Sequence, residues 1–121
     1  MSQTQEKENG QVSLSFHKAG CKPFFKKYPA SRKLAAKKIS QAISREIITG
    51  MAKCKLAVRD RVQGLPCYEM RLNLGKQAGS VRLAFTVADG QAVVYFISTD
   101  LQKSSFTNEV QRFLKGAGLC D

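Results

Sequence analysis

The sequence predicts an α+β fold, a small antiparallel sheet of about four strands with helices packed on one face, in the order β-α-α-β-β-β-α. Three observations predict it. Tyr68, Met70, Leu72 and Leu74 alternate with Glu69, Arg71 and Asn73, and Val81, Leu83, Phe85 and Val87 alternate with Arg82, Ala84 and Thr86, which is the period of half-buried strands. Ala35, Ile39, Ala42, Ile43 and Ile47 recur at helical spacing and form one apolar stripe. Asp89-Gly90 between two apolar runs is a tight-turn signal that joins strands into a meander.

Each element follows in order. Residues 1–10 are polar, end at Gly10 and read as a flexible extension. Gln11 to Phe16 alternates, with Val12, Leu14 and Phe16 on one side, and predicts the first strand. Lys18 to Tyr28 is basic, carries Phe24 and Phe25, and predicts one or two helical turns that stop at Pro29. Ser31 is placed to cap the longer helix and Thr49-Gly50 to end it. Residues 51–66 read as a basic loop with a short strand near Leu56–Val62. The two alternating strands follow, joined by the six-residue turn Gly75–Ser80. Val93 to Ile97 is apolar on both faces, so it predicts a covered strand. A polar connection then leads to a short helix near Phe106–Lys115, and Gly116 and Gly118 dissolve it into a tail, 116–121. Residues 11–115 form the one domain that a chain of 121 residues has room for.

Composition narrows the function. Twenty Lys and Arg face nine Asp and Glu, a net charge of +11. The excess is local: residues 18–61 hold thirteen bases and two acids, whereas residues 62–121 hold six bases and five acids. Such a segment favours a large polyanion, above all nucleic acid. No run reaches the ~20 apolar residues of a membrane span. The N-terminus lacks the apolar stretch of a signal peptide, so a cytoplasmic protein is expected. Cys21, Cys54, Cys67 and Cys120 are scattered and His17 is the sole histidine, which predicts reduced thiols and no metal site.

Alternation fixes which residues point away from the core. Pairing the two strands across the Gly75–Ser80 turn, with Leu74 opposite Val81 and Leu72 opposite Leu83, sends Glu69, Arg71, Asn73, Arg82 and Thr86 to the other face. Two guanidiniums on adjacent strands suit a phosphate. A solvated outer face is the plainer alternative. Lys53, Lys55, Arg59 and Arg61 precede this sheet, where they would wall the face and bind RNA backbone.

The stretches Gln63-Gly-Leu-Pro-Cys-Tyr-Glu-Met-Arg-Leu72, Ser80-Val-Arg-Leu-Ala-Phe85 and Val93-Val-Tyr-Phe-Ile-Ser98 resemble, in order, the C-terminal half of RelE-type toxins. Glu109 to Leu114 is similar to that family's last helix, so the resemblance covers about residues 63–114. It implies a toxin of the RelE/ParE superfamily, closest to the mRNA interferases that enter the ribosomal A site and cut mRNA. An acidic antitoxin holds such toxins inactive. By the same resemblance Arg82 matches the arginine that contacts the reacting phosphate, and Arg71 a basic position on the preceding strand. Lys103 lies near an arginine after the last strand. Phe106 falls where a tyrosine stacks on a base, and keeps the ring without the hydroxyl. Glu69 departs from the pattern, standing where these toxins usually carry lysine.

Metal-independent RNA cleavage uses the substrate's own 2′-hydroxyl and needs no cofactor. Arg71 and Arg82 would stabilise the charge that develops on phosphorus-bound oxygens. Glu69 is either the general base or a salt-bridge partner of an arginine. Two other readings stand beside the endonuclease: a ParE-like inhibitor of DNA gyrase, and a non-catalytic RNA-binding module.

Overall fold

The structure, a computed structural model, describes residues 12–121, so the predicted extension 1–10 and Gln11 lie outside the described residues. Among the described residues there are five strands and three α-helices. They run β1 (Ser13–Phe16), α1 (Lys18–Lys27), a 3-10 turn (Pro29–Ser31), α2 (Arg32–Ile48), β2 (Lys55–Leu56), β3 (Tyr68–Asn73), β4 (Ser80–Ala88), β5 (Gln91–Ser98) and α3 (Lys103–Gly116). The α+β class stands. The sheet, however, has five strands in the order β1-β5-β4-β3-β2 and is mixed, because β1 lies parallel to β5.

Helices also cover both faces of this sheet, where the sequence pattern predicted one. On one face Phe24 and Phe25 of α1 and Ala35, Ile39 and Ile43 of α2 pack on Val81, Leu83, Phe85, Val94 and Ile97. On the other, Phe106, Val110 and Leu114 of α3 pack on Ala84 and Tyr95. The reason lies in β5. Ala84 pairs with Phe96 and Phe85 with Val94, so Tyr95 is the extra residue of a bulge. The bulge turns Tyr95 and Phe96 toward the α3 side, and a strand apolar on both sides needs cover on both sides.

Two elements are longer or firmer than predicted. α1 is a ten-residue helix capped by His17, whose Nδ1 accepts from the Gly20 N–H at 3.2 Å. It covers the edge of β5 beyond the end of β1, so closely that a β-carbon on Gly20 would stand 1.7 Å from the Tyr95 carbonyl oxygen. Residues after α3 are not a loose tail. Asp121 N–H donates to the Arg61 carbonyl at 2.9 Å, and Asp121 Oδ2 accepts from Gly64 N–H at 2.7 Å. Ser31 makes no capping hydrogen bond; it is buried, and its hydroxyl donates to Gln77 of the Gly75–Ser80 turn at 3.5 Å.

The meander itself matches expectation. Asp89 and Gly90 both have positive φ, as the two-residue hairpin turn requires. The Gly75–Ser80 turn closes through Gly79 N–H donating to the Gly75 carbonyl at 2.8 Å. Its register differs by two residues: Leu72 faces Val81 and Arg71 faces Arg82. A slip of two preserves the faces but changes the neighbours.

Candidate nucleic-acid site

The corrected register brings the two arginines directly opposite each other on β3 and β4. Like charges so placed repel. The relief is Glu69, two residues before Arg71 on the same side of β3. Its Oε1 accepts from Arg82 Nη1 at 2.6 Å, and its Oε2 lies 3.4 Å from Lys103 Nζ. Glu69 is 6% exposed, and the small Ala84 opposite leaves room for it. Lys55 on β2 faces Glu69 from the other side.

Arg82 is held twice. Besides Glu69, its Nε donates to the Leu101 carbonyl at 2.7 Å. That leaves Nη2 for an outside oxygen. The Leu101 carbonyl is itself fixed by a short network that sequence reasoning missed. Asp100 accepts from Gln102 N–H at 3.0 Å and from the Ser105 hydroxyl at 2.5 Å, and its own N–H donates to Ser98 Oγ at 3.0 Å. The Ser105 hydroxyl, then the Gln102 N–H, with a smaller contribution from Arg82, hold the Asp100 carboxyl below its ordinary range. The Asp-x-x-x-x-Ser spacing ahead of a helix was the signal available for this loop.

Beside this network Lys53, Lys55, Glu69, Met70, Arg71, Arg82 and Lys103 line an open cavity of about 230 Å³. It thus gathers Lys53 and Lys55 from the basic segment and Lys103 from the first turn of α3. Five cations surround one carboxylate, so the site carries a clear positive excess and suits an anion. Two larger depressions adjoin it, of about 320 and 480 Å³. One shares Lys53 and Arg71 and adds Arg45 of α2; the other shares Lys103 and adds Arg59. Arg59 therefore flanks the cavity and does not line it.

Two predicted residues lie elsewhere. Phe106 is fully buried in the core under α3, its ring 6.1 Å from that of Phe96, so it cannot stack a base. A phenylalanine at the a-type position of an amphipathic helix goes to the core unless something holds it out, and nothing does. Arg61 donates from Nη1 to the Gly64 carbonyl at 3.1 Å, braces the Val62–Leu65 turn and is outside the cavity.

The remaining chemistry-bearing groups are quiet. All four cysteines are free thiols; burial pushes Cys21 and Cys67 up to about 12. His17 packs between Tyr95 and Phe113, at 5.6 and 5.5 Å, away from the cavity. Among the described residues no cluster of three His, Cys, Asp or Glu side chains is placed to hold a metal ion, and no helix is long and apolar enough to cross a membrane.

No family model matches the chain, and no curated protein or solved structure matches it significantly.

Proposed function

We propose that this chain is a RelE-like toxin of a type II toxin–antitoxin system, a ribosome-dependent endonuclease that cuts mRNA in the cytoplasm. One observation carries the reading: Arg71 and Arg82 face each other on adjacent strands, inside a cavity walled by Lys53, Lys55 and Lys103. Arg82 and Arg71 take the non-bridging oxygens of the scissile phosphate, where preorganised charge contributes most. Lys53 and Lys55, with Arg59 beyond, hold the flanking backbone. Glu69 holds Arg82 in place. When exposed Lys103 turns from Glu69 to the phosphate, Glu69 Oε2 takes the 2′-hydroxyl proton. The 2′-oxygen then bonds to phosphorus and the phosphorus–5′-oxygen bond breaks. The leaving 5′-oxygen takes a proton from Lys103. The products are a 2′,3′-cyclic phosphate and a 5′-hydroxyl. An acidic antitoxin is the partner that a chain of net +11 would accept.

A second reading, a non-catalytic RNA-binding module, is favoured by one specific contact. Glu69 neutralises Arg82 at 2.6 Å, and no histidine or tyrosine lines the cavity. Adding the purified protein to a translating extract separates the two. The toxin reading expects mRNA cut within codons, at positions that move with the ribosome. Binding of RNA with every message intact would favour the module.

A further inference from the structure

A larger depression, about 530 Å³, lies against α1 and the edge strand β1. The basic cavity sits by β2, at the opposite edge of the five-stranded sheet. The depression's floor is Phe16 and Phe25, whose rings meet edge to face at 5.0 Å. Its rim is Lys18, Lys22 and Lys26, one face of α1 at successive four-residue steps, with Arg32 from the start of α2. The lining holds four cations and no carboxylate, and among the described residues none of the four is ion-paired.

We propose that this depression is a docking site for an acidic, apolar-anchored peptide segment of a partner protein. Its apolar side chains pack on the exposed side of Phe16 beside Arg32, and its carboxylates meet the lysine row and the Arg32 guanidinium. Charge complementarity selects the occupant: four cations around an apolar floor, with no carboxylate among the described residues of the lining, suit acidic and apolar groups together. Spacing agrees. Four helical residues rise ~6 Å, close to the ~6.6 Å between same-side residues of an extended strand. A nucleic acid fits less well. The Arg32 guanidinium already lies 4.5 Å from the Phe25 ring centre and 5.5 Å from that of Phe16. A base would have to displace it in order to stack. A carboxylate instead bonds to that guanidinium where it stands. The proposal is independent of RNA cleavage, because it uses none of the residues of the basic cavity.

The test uses the full chain and a short fluorescent peptide alternating glutamate and leucine. Controls carry serine for leucine, or lysine for glutamate, and an oligouridine serves as competitor. Binding constants are read by anisotropy, and backbone amide shifts map the contact. The expected result is a set of shifts around Phe16, Lys22 and Arg32. The double change Lys22→Glu with Lys26→Glu then weakens binding about tenfold or more, while Arg71→Ala leaves it unchanged. Both lysines are exposed, so the double variant keeps its fold. Shifts centred on Arg71 and Arg82, equal binding of the serine control, or displacement by oligouridine from the α1 site would each overturn the proposal.

Discussion

Arg82 owes its position to two fixed acceptors, Glu69 Oε1 and the Leu101 carbonyl, and each makes a different demand. Lysine has one nitrogen and no fork. Arg82→Lys is therefore expected to leave the fold intact, by circular dichroism, yet lose most RNA cleavage in the translating extract. Glu69 can be separated by role. Glu69→Gln keeps an acceptor for Arg82 but takes up no proton and no longer offsets the arginine pair, so activity falls, and thermal stability falls less than for Glu69→Ala. Glu69→Ala leaves Arg82, largely buried, without its carboxylate, and urea denaturation should register a loss of about 1–3 kcal/mol. Asp100 adds a pH signature. Its folded carboxyl lies below the ordinary value, so its contribution is full above pH ~4 and is lost as pH falls through the depressed value. Protection of amides 98–105, measured against their intrinsic exchange rates at each pH, should fall in acid, and Asp100→Asn should flatten that dependence. Phe106→Ala belongs with these as a contrast. It empties a core position at a cost of about 3–5 kcal/mol, and acts on RNA binding only through unfolding.

The elements show which parts of this arrangement could be read before the structure. The helical stripe of α2 and the Asp89-Gly90 hairpin are local patterns, and both appear where the sequence places them. Alternation correctly assigned the faces of β3 and β4, because a face depends only on odd or even position. The register did not follow, because a six-residue loop does not dictate pairing and Leu72 satisfies Val81 as well as Leu74 does. The consequence fell on the site: Arg71 moved from a diagonal neighbour of Arg82 to its direct partner. The parallel β1–β5 pair was not legible, since it joins the two ends of the described chain, and the apolar faces of β5 asked for cover without saying that α3 supplies it. Gly20 records one contact between those ends. Nothing local asks for glycine within a helix, yet the Tyr95 carbonyl leaves no space for a side chain. Gly20→Ala should destabilise the fold by about 3 kcal/mol or more, as measured by urea denaturation, because backbone rather than a flexible side chain blocks the new methyl.

At the scale of the molecule, charge is divided between the two edges of one sheet. Thirteen bases fall in residues 18–61, and the fold sends them to different places. Lys18, Lys22, Lys26 and Arg32 surround the apolar depression at the β1 edge, while Lys53 and Lys55 wall the cavity at the β2 edge. Net charge could announce a polyanion; it could not announce this separation, which only the strand order supplies. Affinity for single-stranded RNA should fall with salt by about 0.7 log units per decade for each phosphate held. Lys53→Ala with Lys55→Ala should flatten that slope, whereas Lys22→Glu with Lys26→Glu should leave most of it. RNA cleavage through Arg82 is tested by mapping mRNA 5′ ends after inducing the wild-type chain and Arg82→Ala at matched levels. Growth arrest and new ends within codons are expected for the wild type, and neither for Arg82→Ala. Intact messages in wild-type cells, or undiminished cutting by a folded Arg82→Ala protein, would contradict this role of Arg82.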